Sequence, residues 1–293
     1  MMIRFRAAAL IAAFLTLCQL NAHAGEGSFG WIYTLDLQPK GTLEFEQRLQ
    51  YNRGQAQGRY DLWQSRTELE YGLTDNIQIA GYLNSSYVHA DRNDAYTGGA
   101  SGWLVLSTAG NSYSKGRIDG VSLETIWRLT NPVIAPVGIG LYGEITSGSV
   151  KDEIETRLLL QSNFLDDRLV LASNLHFAIE RVKFDPADIG KESMIDLLLG
   201  ASYRVANNWT AGVEYRFHND FNGYNFNKQT QRAHFFGPNV HYATKDWWIT
   251  AAWRFQPTGM SSCWAPGDAE CSNGRVWDSH SKNEFIIKIG RPL

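Results

Sequence analysis

Residues 60–87 read YDLWQSRTELEYGLTDNIQIAGYLNSSY, and alternate positions separate by character. Trp63, Ser65, Thr67, Leu69 and Tyr71 fall on one side, with Gln64, Arg66, Glu68 and Glu70 on the other. After Gly72-Leu73-Thr74-Asp75-Asn76 the alternation resumes, setting Ile77, Ile79, Gly81 and Leu83 against Gln78, Tyr82 and Asn84. A period of two marks strands, and the short Gly/Asp/Asn turn joins them into a hairpin. Charges in mid-strand cannot line a dry core without partners. A long hairpin with one apolar and one charged face suits a transmembrane β-barrel, with lipid outside and water or ion pairs inside.

Working outward from this hairpin, the same alternation predicts strands over 42–51, 118–129, 137–146, 152–164, 169–182, 192–204, 209–218, 232–243, 247–256 and 280–289. With the hairpin these make twelve, an even number that returns both ends to one side of the membrane. The expected fold is all-β: an antiparallel up-and-down barrel of about twelve strands over 42–293. Gly237-Pro238 predicts a kink or bulge, because proline cannot donate to a ladder. Links after even-numbered strands read as short, and those after odd-numbered strands as longer and polar, from 52–59 to the long 88–117. Barrels of bacterial outer membranes show this asymmetry of periplasmic turns and external loops. Tyr71, Tyr203, Trp209, Tyr242 and Trp247 flank the short turns, and Tyr51, Trp63 and Tyr87 the opposite strand ends, as two interfacial girdles require. A soluble sandwich with an aromatic core is the alternative, but it has no need of so regular a charged face.

The start of the chain reads as an export signal over 1–24. Arg4 and Arg6 precede an apolar run, 7–17, and Ala22-His23-Ala24 is a small-x-small cleavage site. Cys18 follows Leu17, which is too large for a lipoprotein signal. Removing Arg4 and Arg6 from the 27 basic residues leaves 25 against 30 acidic ones, a net charge of −5 that argues against a nucleic-acid partner. No later stretch approaches the roughly 18 apolar residues of a spanning helix. Residues 25–41, with Trp31 and Tyr33, read as a periplasmic strap or a plug folded into the barrel mouth. Cys263 and Cys271, in a Gly/Pro/Ser-rich loop of an exported chain, read as a disulfide rather than a metal pair, since no further ligands complete a set.

The inward face supplies the candidate functional residues. Its acids include Glu44, Glu46, Glu68, Glu124, Glu144, Glu155, Glu180 and Glu214, and its bases Arg48, Arg66, Arg128, Arg157, Arg216 and Arg254. A symmetric register would place Glu46 near Arg66. These charges read either as a lumen field that selects a solute or as a salt-bridge ladder that fills the barrel. Twelve strands lie between filled and channel-forming barrels, so a pore would pass ions or small polar molecules, and mixed signs disfavour strong anion selectivity. Trp103, Leu104, Val105 and Leu106 form an apolar patch in the long loop, either a constriction or an extension of the strands. His89-x-Asp91 and His218-x-Asp220 sit where strands meet external loops, and a His oriented by a carboxylate can activate water. Such pairs are common and usually solvated, so no catalytic residues, cofactor or metal are assigned. The expected partners are outer-membrane lipid, the barrel-assembly machinery and a small polar solute or ion.

Gly30-Trp31-Ile32-Tyr33-Thr34, Pro39-Lys40-Gly41, Glu44-Phe45-Glu46, the turn from Glu70 to Asn76 and Phe236-Gly237-Pro238 resemble an uncharacterised, porin-like family of proteobacterial outer-membrane β-barrels. The resemblance implies outer-membrane location and barrel architecture. It brings no substrate or site residues. Such barrels usually end on an aromatic residue, whereas this chain ends Ile289-Gly290-Arg291-Pro292-Leu293, which bears on where the last strand lies.

Overall fold

The structure is a computed structural model that describes residues 27–93, 112–185, 188–264, 271–277 and 280–293. The export signal, the 103–106 patch and most of the long loop lie outside these residues. In chain order the strands are β1 (Leu43–Arg53), β2 (Arg59–Thr74), β3 (Ile77–Asp91), β4 (Ser112–Thr130), β5 (Gly138–Gly148) and β6 (Lys151–Phe164). They continue with β7 (Leu169–Asp185), β8 (Asp188–Ala206), β9 (Trp209–Asn222), β10 (Gln229–Ala243) and β11 (Trp248–Phe255). The short β12 (Ser262–Cys263), β13 (Cys271–Ser272) and β14 (Arg275–Val276) precede β15 (Asn283–Pro292). Each of β1 to β11 pairs antiparallel with its sequence neighbour, and β15 pairs with both β11 and β1. The twelve long strands therefore close into a barrel with no free edge.

The alternation sorts the side chains as a membrane barrel needs. Outward positions are apolar and open: Leu123 is 72% exposed, Ile145 62% and Val213 60%, with Phe45, Leu49, Leu69, Leu83 and Ile287 also exposed. A contiguous apolar band of this kind belongs in lipid, not water. Tyr51 stacks on Trp63 with centroids 4.2 Å apart at the outer end, and Trp209 and Tyr242 meet at 4.7 Å at the turn end. Inward positions are buried, most of them polar, including Glu44, Glu70 and Asn174 at 0% exposure, with apolar exceptions such as Ile126, Leu159, Leu198 and Ile286 that face residues 29–37.

Several boundaries differ from the sequence reading. The last strand runs to Pro292, which pairs with Glu44, so closure extends three residues past the predicted end. β5 and β6 are joined by Ser149-Val150 alone, and β7 and β8 reach Asp185 and Asp188. Two of the expected long external links are thus short, because the strands continue beyond the membrane band as a paired wall. In the β1–β2 hairpin Glu46 faces Glu68 and Arg48 faces Arg66, correcting the expected Glu46–Arg66 pairing. The observed pairs are centred on residue 57, with Arg53 opposite Asp61 and the Gly54 N–H donated to the Tyr60 carbonyl, one residue beyond the centre at 56 that a Glu46–Arg66 register needs; the connection closes through Gly54 and Gly58, both in the left-handed region at φ 80° and 61°. At Gly237-Pro238 the β10–β11 ladder is interrupted between the Phe236–Phe255 and Asn239–Ala252 pairs without a shift of register.

Candidate functional site

Residues 27–40 pair with no strand, and only Gly41 and Thr42 exchange backbone bonds with Gly72 of β2, so the backbone groups before them must be satisfied some other way. Inward side chains of four strands do so. Glu214 of β9 accepts from the backbone of Gly30 at 2.6 Å and of Trp31 at 2.9 Å. Asn174 of β7 accepts from the Tyr33 N–H at 2.8 Å and donates to the Tyr33 carbonyl at 2.9 Å. Gln161 of β6 accepts from the Leu35 N–H at 2.6 Å, and Gln78 of β3 from Gln38 at 2.8 Å. The segment therefore crosses the lumen from β9 to β3. Phe29, Leu35 and Ile32 are buried, and Leu35 packs with Ile126, Leu159 and Tyr142. A Cβ on Gly200 would lie 2.5 Å from the Phe29 ring, so that wall position is shaped to the segment. Ser28 Oγ lies 2.7 Å from Ser202 Oγ, near the β8–β9 turn, and Gln38 contacts the strands beside the β2–β3 turn. Both ends of the crossing thus lie on the side of the short β2–β3 and β8–β9 turns.

Above the segment lies a cavity of about 370 Å³ walled by polar groups. Arg157 and Arg254 stand between the two, with guanidiniums 4.8 Å from the Tyr33 ring centre and 4.2 Å from that of Trp31. Such stacking suits arginine, whose planar cation is weakly hydrated. Arg66 crosses from β2 to β5 and donates from Nη2 to both oxygens of Glu144 at 2.9 Å, with its guanidinium 3.9 Å over Tyr82. Tyr82 also donates to Glu124. Glu155 takes Arg157 Nε at 2.5 Å, and Arg254 pairs with Glu284. Lys151 lies 2.6 Å from Glu180 and 2.8 Å from Glu153. Asp196 accepts Arg216 Nε at 2.6 Å. Arg48 reaches Gln50 at 3.2 Å and shows no ion pair among the described residues.

The other inward acids sit lower. Glu44 accepts from the Trp248 indole at 2.8 Å, Glu46 lies 3.8 Å from Lys288, and Glu68 is buried opposite Glu46. Like charges face one another across several ladders, as at Glu124–Glu144–Glu155. Direct like-charge opposition destabilises a sheet, so the diagonal and cross-lumen cations are what make this wall tenable. Arg128 stands apart: it holds the Leu35 carbonyl at 3.1 Å and the β2–β3 turn at Asp75 and Asn76, tying the segment to the rim on the turn side.

The two rim His-x-Asp pairs diverge. His89 is on the outward face and contacts Ser114 at 2.6 Å. His218 is buried and inward, between Asp196 and Asp220. The Cys263–Cys271 disulfide forms, with Cα atoms 5.9 Å apart. It packs beside Val276, Ala233 and Phe235, the last two on the inner face of β10. The loop between β11 and β15 thus folds into the outer mouth, and Gln55 holds it there through the carbonyls of Trp277 and His280. His280, expected to open the last strand, belongs to this inserted loop. Gln161 and Asn174 read in sequence as ordinary inward polar residues; nothing in their spacing announces that they clamp another segment.

A closed twelve-stranded barrel with an apolar outer band and a charged lumen is an outer-membrane β-barrel of a Gram-negative bacterium. Solved structures bear out the architecture. An outer membrane channel from Pseudomonas putida F1 is similar at a TM-score of 0.59 and 9% identity, over 92% of this chain and 100% of that one. The NanC porin gives 0.50 and 13% over 85% and 100%, and the β domain of the Bordetella autotransporter Brka gives 0.51 and 10% over 87% and 100%. No curated protein matches the chain. Residues 21–292 match the model of a family of unknown function, DUF6662, and the chain belongs to that family.

Proposed function

We propose that this barrel is a channel for ions or small polar solutes, entered through the outer vestibule and closed towards the periplasm by residues 27–42. The observation that carries the reading is the division of the lumen at Trp31 and Tyr33. A polar cavity of about 370 Å³ lies on one side and the clamped segment on the other. The clamps are side-chain hydrogen bonds, each worth about 0.5–1.5 kcal/mol, or about 1.5–3 where a charge takes part. They hold the segment in place yet let it leave without disturbing any strand ladder. Interleaved Glu144, Arg66, Glu155 and Arg157 make the passage polar without a single-sign track, so selectivity between simple ions is weak. The resemblance to an outer membrane channel and a porin agrees with this reading. In it, residues 1–24 direct export, the mature chain starts at Gly25, and the assembly machinery inserts the barrel.

The test is single-channel conductance of the purified, refolded chain in a planar bilayer, with reversal potentials in a salt gradient. Discrete openings separated by long closures, with weak selectivity, are expected. A folded barrel that never conducts at any voltage would instead favour a closed barrel that works through its external loops.

A further inference from the structure

At the outer end of the vestibule, three donor groups from two separate parts of the chain converge. His218 Nε2 lies 2.7 Å from Asp220 Oδ2, and His280 Nε2 lies 3.9 Å from the same oxygen. All three donor atoms fall within 4.8 Å of one another. His218 and Asp220 stand on β9, a rigid wall strand, whereas His280 comes from the inserted loop. All three line the vestibule, so a small ion from outside has a path to them. We propose that His218, Asp220 and His280 form a binding site for a divalent first-row transition ion of the zinc, cobalt or nickel kind. A bound ion fastens the inserted loop to the barrel wall.

The donor set suits such ions: two imidazoles and one carboxylate are borderline ligands, unlike the all-oxygen sets of calcium or magnesium. Three protein donors with the remaining position open to the vestibule is the arrangement of an accessible, exchangeable site. Metal bonds of about 2.0–2.1 Å in a tetrahedron put donors roughly 3.3 Å apart. The present separations bracket that value, so closing on an ion requires the Asp220–His218 contact to widen and the His280 ring to move in. The two imidazoles already face one another, with ring centres 4.4 Å apart at 79°.

The surroundings supply the outer support that metal-binding histidines use. His218 Nδ1 lies 2.7 Å from Asp196 Oδ1, so an N–H donated there leaves Nε2 free to bind, the carboxylate–histidine–metal relay. Arg216 anchors Asp196 from its other oxygen at 2.6 Å. Gln231 donates to Asp220 Oδ2 at 2.6 Å and fixes that carboxylate on β9. Gln55 holds the His280 backbone.

This inference needs only the fold and stands apart from the channel reading. Its test is a titration of the full-length, disulfide-intact refolded barrel with Co²⁺, read by visible ligand-field absorption, followed by displacement with Zn²⁺. Saturable one-to-one binding is expected. His280→Gln or Asp220→Asn should each abolish it. Asp196→Asn should weaken it roughly 10–100-fold, as loss of an outer hydrogen-bond partner does. His89→Gln, on the outward face, should leave it unchanged. Circular dichroism confirms folding of each variant, and either of the two ligand variants suffices. Absence of saturable binding up to millimolar metal would overturn the proposal and leave a histidine–carboxylate ion pair. Binding that survives both ligand variants would overturn it too, by placing the metal elsewhere.

Discussion

Below Trp31 the lumen is filled by the chain's own backbone, and above it charged side chains face one another around a cavity. Both halves are walled by the same strands with the same alternation. In the lower half Glu214, Asn174 and Gln161 spend their polar atoms on backbone N–H groups of residues 30–35. In the upper half Arg66, Glu144, Glu155 and Arg157 spend theirs on each other. A polar inward face does not by itself make an aqueous pore. What decides is whether another piece of chain competes with water for those groups. The lower half is designed to be occupied, and the upper half is satisfied without an occupant.

The largest expected effect falls in the upper half. Arg66→Met leaves Glu144 beside Glu124 and Glu155 without its bidentate cation, and losing one partner of a buried pair costs about 3 kcal/mol or more. The urea midpoint of the refolded barrel should fall, and conductance should shift towards cations. An unchanged midpoint would mean that vestibule water already screens these acids. Next comes the lower half. Gly200→Leu places side-chain atoms where Phe29 and Ile32 pack, and overpacking of this kind costs about 1–3 kcal/mol. Here the barrel should hold and the segment should yield, seen as faster proteolysis within residues 27–42 at an unchanged barrel unfolding midpoint. The smallest effect is expected at Arg48→Gln. Stability should move by no more than about 0.5 kcal/mol, because Arg48 meets Gln50 and no carboxylate among the described residues. The reversal potential should still drift towards cations, since a vestibule cation is gone.

The strand pattern was legible because a membrane barrel writes lipid and lumen into alternate residues, as in Trp63 to Tyr71 against Gln64 to Glu70. The tight turns at Asp75-Asn76 and Asn207-Asn208 fixed most boundaries, and Cys263 with Cys271 announced the loop closure. Register was not legible. Whether Glu46 meets Arg66 or Glu68 depends on the backbone shape at Gly54 and Gly58, and a two-residue offset keeps every side chain on its own face. The role of residues 27–42 was legible only as an ambiguity, because Trp31 and Tyr33 suit a strap as well as a plug. Their partners, Gln161, Asn174 and Glu214, are 126 to 184 positions away in sequence. His280 was hidden from His218 and Asp220 in a similar way, 62 and 60 positions away, since only folding of the loop into the mouth brings them together.

In the proposed channel, residues 27–42 close the passage from the periplasmic side. The most direct test is to loosen the clamps while leaving every strand and the segment itself in place. In the full-length chain, Gln161→Ala, Asn174→Ala and Glu214→Ala together remove the side chains that hold Leu35, Tyr33 and Gly30-Trp31. Several-fold more open time than the unaltered barrel is expected in the same bilayer, with vestibule selectivity preserved. Identical conductance from a triple variant that is fully folded would contradict it, and would place the barrier in the barrel wall or the external loops.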